Sequence, residues 1–411
     1  MMMTLGERIR SLRKERKMTL QQLAGTAITK GMLSLIENNK AKPSMESLQH
    51  IATMLEVPVS DLLEESSSSE KKKVVKRAED LFSEVDYMKP ATFDPILETI
   101  EPFLTSLTKG YMDARLLDLY SRAAYERKLP DWKTYSDKAI QLYDEIQVSR
   151  RAASLRLYRI SCKFREKNYH EALELLENER KQMEESSSWT DPLSRLDFDY
   201  TGAVFYYAVG EKEKALKTMH DAIAFSKKQK VFYRLDHLYR LAVIHAMMAG
   251  DLEEAELYIN RLEAYAMFTE DEEICTFNRF IWIHYYTTYA HDYEKAQTLM
   301  DEFLEESTKP VEELDFERVE MAKIAYHMKR VEEAKELLEH TEIPEIISHP
   351  IDLSMFSERD YYLAKIYEEE GRTKEALHLV QASWNDLQHY PETPYQRKMS
   401  ELLTTLKQKM S

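Results

Sequence analysis

Eight glycines and twelve prolines in 411 residues leave little of the turn chemistry that strands and hairpins need. Cysteine is nearly absent: Cys162 and Cys275 stand far apart and fit no metal or disulfide spacing, so a reducing, cytoplasmic setting is expected. No apolar run approaches the ~20 residues of a membrane span. Met1 to Met3 lead straight into helical periodicity without a signal peptide's apolar region. A Gly-rich phosphate loop, a nucleophile elbow and a His-Glu-x-x-His pair are also missing, since His170-Glu171-Ala172-Leu173-Glu174 fails at its last position. Asp197 and Asp199 are a close acidic pair of the kind helices usually leave solvated. No enzymatic activity, cofactor, metal or membrane partner is therefore expected. What the chain does have is charge, 32% of its residues, and apolar residues at helical spacing throughout. An all-α chain is the prediction.

The first 63 residues read as a complete module. Leu5, Ile9 and Leu12 recur at helical spacing, with Arg8, Arg10, Arg13 and Lys14 on the other faces. Thr19 and Gln22 can form a capping box at the start of a short helix that Gly25 ends. Thr29 can cap a third helix through Asn38, and Pro43-Ser44 opens a fourth with Leu48, Ile51, Ala52 and Leu55 as its buried stripe. Residues 1–60 carry nine Lys/Arg against five acids, a net of +4, in a chain of −16, so the remainder holds −20. A basic head on an acidic body is what phosphate binding asks for.

The stretches IRSLRKER, MTLQQLA, LSLIENNKAKPS and LEVPVSDLL together resemble the five-helix Cro/C1-type helix-turn-helix domain, here over residues 1–64. That resemblance implies that the third helix lies in the major groove of double-stranded DNA with its N-terminal residues at base edges. Thr29, Lys30, Gly31 and Ser34 occupy those positions. Lys30 can donate to guanine, Ser34 to a base or phosphate, and Gly31 permits close approach. Asn38, Lys40 and Lys42 would hold phosphates and set register. Leu20 stands where many relatives carry Gln, and the turn after Ala24 is one residue shorter than the commonest form.

Glu64 to Glu70 has no apolar residue to bury, and a flexible linker or weak helix extension is expected, bounded at 65–73. The body over 74–411 then repeats. Six segments align at Ala172, Ala215, Ala255, Ala296, Ala334 and Ala376, at intervals of 43, 40, 41, 38 and 42 residues, and a weaker copy centres on Ala139. Small residues let paired helices approach closely. The pattern resembles tetratricopeptide repeats with helix pairs longer than the usual ~34-residue period. About seven repeats plus a capping helix, stacked as a right-handed superhelix with a concave groove, are expected. Ser186 to Ser188 before Thr190-Asp191-Pro192 and a capping box Thr269…Glu272 mark loops between repeats.

In tetratricopeptide arrays the first helix of each pair lines the groove. The matching positions are Asp197, Tyr200 and Tyr207, then His237, Arg240 and Met247, then Asn278, Tyr285 and Tyr289, then Lys323 and Tyr326. Asn can pair with a backbone amide, and Arg or Lys with a carboxylate. A Cro-type head, short linker and long repeat body together resemble the peptide-sensing quorum regulators of the RRNPP group (NprR- and PlcR-like). The resemblance implies a transcriptional regulator, a homodimer through the repeats, a near-palindromic operator, and a short signalling peptide in the groove that alters DNA binding. These sensors often carry several groove Asn residues, whereas here only Asn278 falls plainly on such a position, with Thr201 and Leu241 at others. Two further readings stay open: a body that binds a response regulator, as Rap-like relatives do, or a ligand-free scaffold for dimerisation.

Overall fold

The computed structural model describes residues 4–59, 62, 69–185, 191–307, 310–344 and 346–410, and among these every regular element is helical. The chain divides into two compact units, residues 1–160 with 180–195 and residues 161–179 with 196–411.

The first unit begins with α1 (Leu5–Glu15), α2 (Leu20–Ala24), α3 (Lys30–Glu37) and α4 (Met45–Met54). Each starts on a hydroxyl cap: Thr4, Thr19, Thr29 and Ser44 accept from the N–H three residues on. Thr19 and Gln22 form the expected reciprocal box, and Thr4 with Glu7 forms a second one. Ile9, Leu23, Leu33, Ile36, Leu48, Ile51 and Leu55 close the small core between these helices. The expected fifth helix of the head falls largely on residues outside those described. So do residues 65–68 of the expected linker.

The remainder of that segment takes the second of the two expected forms, a helix extension. Residues 69–73 are the first turns of α5 (Ser69–Ser83), which packs on α7 (Gly110–Glu126) beside α6 (Asp94–Ile100). Lys71 Nζ lies 2.7 Å from the buried Asp113 carboxylate, and Arg115 Nε lies 2.7 Å from Glu79. Asp113 also accepts from the N–H groups of Thr108 and Lys109. The start of this helix is docked by charge at Lys71. This unit also holds α8 (Trp132–Glu145), the partner of α7.

The helix pairs continue as α9 (Ser149–Arg165) with α10 (Tyr169–Glu185), α11 (Pro192–Ala208) with α12 (Lys212–Gln229), and α13 (Leu235–Ala249) with α14 (Leu252–Thr269). Then come α15 (Glu272–Tyr285) with α16 (Tyr293–Glu306), and α17 (Asp315–His327) with α18 (Val331–Glu339). After a short helix, α19 (Pro350–Phe356), the last pair is α20 (Glu358–Glu369) with α21 (Thr373–Leu387), and α22 (Pro394–Met410) ends the array. All seven repeat alanines, from Ala139 to Ala376, have zero exposure. A methyl is the largest group that two helices at this separation admit there, and a longer side chain would push them apart. The turn within a pair needs a left-handed residue. Gly250 and Gly371 supply it without strain, whereas Lys167 and Lys329 adopt it at a steric cost.

The loop signals between repeats are mixed. Residues 186–190 lie outside those described. The capping box at Thr269…Glu272 is not formed: Thr269 is the last residue of α14 and donates to Tyr265 O. Asp271 caps α15 instead, accepting from Ile274 N at 3.1 Å. A carboxylate nearer the helix start outcompetes the hydroxyl two residues back.

Candidate DNA-binding helix and repeat face

Helix α3 is held at its start and braced from behind. Thr29 Oγ1 accepts from Met32 N at 3.1 Å, and Leu33 and Ile36 turn inward. Thr29, Lys30 and Gly31 are therefore exposed, with Ser34 half-buried. Nothing lies within 4 Å of where a Cβ on Gly31 would stand, so the first turn is open to an approaching surface. Lys40 and Lys42 are exposed on the segment leading to α4. Asn38 is partly committed: its Nδ2 donates to Ser34 O at 2.7 Å and closes its own helix. Met32 and Leu35, each 44% exposed, share the outward face. They were passed over in the sequence because apolar residues at helical spacing read as core, yet an exposed apolar group here suits a thymine methyl.

The brace is an ion pair. Glu37 is 4% exposed and accepts from Arg13 at two oxygens, Nε to Oε1 at 2.6 Å and a terminal nitrogen to Oε2 at 2.8 Å. Arg13 also donates to Met18 O, and Arg8 donates to Leu62 O. Arg8 and Arg13, placed by periodicity on the outer faces of α1, are thus internal struts. Hydrogen bonding to Glu37 raises the Arg13 pKa, outweighing the burial that disfavours its charge. Asn39 joins α1 to the end of α3, accepting from Gly6 N and donating to Thr4 Oγ1.

The two lysines are expected to divide the work on this surface. Lys30→Ala is expected to cost about 1–3 kcal/mol on a preferred sequence and to relax that preference, while Lys42→Ala weakens all duplexes alike. Equal losses on preferred and random DNA for both variants would contradict the division. Gel-shift titration at two salt concentrations reads both.

In the second unit the groove positions fall into three groups. Tyr200, His237 and Arg240 are half-buried and cluster with Asp197, Arg234 and Asp236. Asp197 accepts from Arg234 at 2.8 Å and from the Tyr233 hydroxyl at 2.9 Å, so half of the acidic pair is an ion-pair partner. The His237 ring lies tilted at 5.3 Å from Tyr200, and its Nδ1 is 2.7 Å from Asp236. Arg240 lies over the Phe277 ring at 4.0 Å and reaches Asp236 only at 3.9 Å. Burial pushes the Asp236 carboxyl up, but His237 and Arg240 outweigh it and hold it down.

A second group is core. Met247 is 1% exposed inside an apolar cluster with Leu238, Val243 and Ile259. Tyr285 is buried and donates to Glu256 at 2.9 Å. Lys323 has no exposure at all, and its ammonium is surrounded by Glu320, Glu358 and Thr288. Tyr289 bonds the Tyr395 hydroxyl at 2.9 Å, and burial pushes its pKa up to about 12. Tyr326 hydrogen-bonds Glu369. Met247 and Lys323, read as groove contacts, are packed away instead, because helical spacing alone cannot tell a lining face from the contact with the next repeat.

The third group is the most informative. Among the described residues, four buried side-chain atoms have no hydrogen-bond partner: Tyr207 Oη, Arg240 Nε, Asn278 Oδ1 and Arg318 Nε. They come from four successive first helices, α11, α13, α15 and α17. Buried polar atoms are rarely left unpaired, and each calls for an explanation. Three of the four were groove positions in the sequence. Arg318 was missed, and no local signal marks it.

Residues 6–65 match the helix-turn-helix domain family. The chain is 30% identical over 123 residues to the immunity repressor protein of Bacillus phage phi105, which covers 27% of this chain and 82% of the phage protein. It is 44% identical over 63 residues to the HTH-type transcriptional regulator DdrOP3 of Deinococcus deserti, 15% of this chain and 49% of that one. Among solved structures it is similar to PlcR of Bacillus thuringiensis, in complex with a peptide and DNA, at 20% identity and a TM-score of 0.36, covering 65% of this chain and 98% of that one. With its capped and braced third helix and its match to most of the phage repressor, the chain belongs to the helix-turn-helix family of DNA-binding transcriptional regulators.

Proposed function

We propose that the repeat face binds a short signalling peptide, and that occupancy of this face changes how the head binds a near-palindromic operator. The observation that carries this reading is the set of unpartnered polar atoms on successive first helices, Tyr207, Arg240, Asn278 and Arg318. An extended peptide presents a carbonyl or N–H every residue or so. It could satisfy an amide oxygen, a hydroxyl and two guanidinium N–H groups along its length. Arg240, already stacked on Phe277 and only weakly paired, has the free donor capacity to take a carboxylate. Tyr200, His237 and Arg234 beside it supply an aromatic and cationic rim.

In this reading residues 1–64 form the DNA-binding domain and 74–411 the sensor. The protein works in the cytoplasm as a homodimer through its repeats, because one head on a half-site binds weakly and two at fixed spacing gain effective concentration.

Arg240→Ala and Asn278→Ala are each expected to abolish the peptide response and leave basal DNA affinity and helical content unchanged. The check is a thermal-shift and DNA-binding screen of the full chain against short synthetic peptides, wild type beside both variants. Coupling must be reciprocal, so operator should shift peptide affinity by the factor by which peptide shifts operator affinity. Variants that respond as wild type does would remove these residues from the site.

A further inference from the structure

Between α18 and α20 the chain leaves the repeat pattern, and residues 346–357 reach helices more than a hundred residues earlier in sequence. Four contacts fix it there. The Tyr169 hydroxyl donates to Ser348 O at 2.6 Å. His349 Nε2 donates to Val204 O at 3.2 Å, while its Nδ1 accepts from Ile351 N. The His349 ring stacks at 5.8 Å on Phe164, which itself stacks on Phe205 at 4.3 Å. Ile351 is 7% exposed in an apolar cluster with Tyr207 and Ala215, against Leu241 and Ile244.

These are the contacts an extended peptide makes with a receptor: a backbone carbonyl held by a side-chain donor, a ring on an aromatic platform, and an aliphatic group in a pocket. Ser348 and His349 have no regular secondary structure, and Pro350 starts α19 only after them. Burial pushes the His349 pKa down, which keeps the ring neutral and suits its one donated and one accepted hydrogen bond. Tyr207 belongs to both sets: its ring packs on Ile351 and its hydroxyl is one of the four unpartnered atoms. The stretch therefore adjoins the face described above.

We propose that Ser348–Ile351 is an internal occupant of a peptide subsite, that the pocket of Tyr207, Leu241 and Ile244 selects a branched aliphatic side chain, and that an incoming peptide binds by displacing this segment. The inference rests on the reading of the repeat face as a peptide site and names one of its specificity pockets. A site occupied in cis is available to a ligand only in the fraction of molecules that have released the segment, and apparent affinity falls by that fraction.

The probe is a fluorescein-labelled synthetic peptide with the sequence of residues 346–353, IISHPIDL, titrated by anisotropy into the full chain. Ile351→Ala is expected to bind it about tenfold tighter than wild type, because the competing internal segment is weakened. Tyr169→Phe, which removes the Ser348 hydrogen bond together with the hydroxyl's contact to Tyr390 and leaves the ring in place, is expected to move affinity the same way by a few fold. A probe with Ala at the Ile351 position should bind neither variant. Equal affinity for wild type and both variants, or no binding to any, overturns the proposal. Circular dichroism reports whether Ile351→Ala folds, and if it does not, Tyr169→Phe carries the comparison. Loss of binding on Arg240→Ala without gain on Tyr169→Phe or Ile351→Ala removes the internal occupant and leaves the face. Gain on those variants that Arg240→Ala does not touch supports the occupant and removes Arg240 from the site.

Discussion

Lys323→Met is expected to destabilise the second unit by about 3–5 kcal/mol, a loss typical of breaking a buried ion pair from one side. Lys323 Nζ donates to Glu320 Oε1 at 2.9 Å, Glu358 Oε2 at 2.7 Å and Thr288 Oγ1 at 2.5 Å, with no exposure of its own. The two carboxylates are as deeply placed, at 3% and 2%. Burial pushes Glu320 up, but Lys323 and His284 outweigh it and hold the carboxyl well below the usual range. Burial likewise disfavours the Lys323 charge, and the two glutamates more than restore it. Removing the ammonium leaves two like charges facing each other out of water, with Lys398 at 3.2 Å from Glu358 as a partial substitute. His284 bridges Glu320 to the Tyr395 hydroxyl on α22, so the damage extends to the end of the array. A wide helical turn at Tyr286–Ala290 brings Thr287 and Thr288 into the same network.

In a thermal melt that loss corresponds to a downward shift of about 6–20 °C for a unit of this size. Lys335→Met is the control. Lys335 pairs with Glu370 at 2.6 Å, but both are more than 20% exposed, so its loss should stay within about 1 kcal/mol. A Lys323→Met melt no lower than the control would show that the buried charges find other compensation.

Gly6→Ala is expected to abolish DNA binding while the repeats keep their helices. A Cβ at residue 6 would stand 2.2 Å from Ile36 O and 2.9 Å from Glu37 C. Both are backbone atoms of α3, so no side-chain rotation relieves the clash. α1 must lift away from the recognition helix, losing the Gly6 N–Asn39 hydrogen bond and loosening the Arg13–Glu37 brace. Overpacking of this kind costs about 3 kcal/mol, a large part of the ~3–9 kcal/mol that a module of sixty residues commands. Limited proteolysis should then cut the head first, and gel-shift affinity should fall for every duplex. Wild-type affinity in Gly6→Ala would mean that the close approach of α1 and α3 is dispensable.

What could be read in the sequence follows from the range of the physics involved. The seven repeat alanines were legible because one steric demand recurs at a nearly fixed interval, and all seven are buried as that demand requires. The Thr19–Gln22 box was legible because both partners lie within one helical turn. Thr4…Glu7 carries the same signature, and its box was missed although the signal was present. The Thr269…Glu272 signature misled because Asp271 stands closer to the helix start. Arg13 and Glu37 are 24 residues apart, and helical spacing gives no reason to pair them. Lys323 looked like a groove cation because its burial depends on α15, α20 and α22 closing around it. The crossing of residues 346–357 is further out of reach. Ser348 meets Tyr169 across 179 residues, and nothing in the local pattern announces it.

Selection of the full chain on a pool of random DNA duplexes, followed by sequencing, tests the central claim most directly. The account predicts enrichment of a near-palindromic pair of half-sites, with salt-sensitive binding that Lys30→Ala relaxes at one position in each half and Lys42→Ala weakens without changing the sequence preferred. A pool that emerges without an enriched sequence, or a preference that Lys30→Ala leaves untouched, would contradict it.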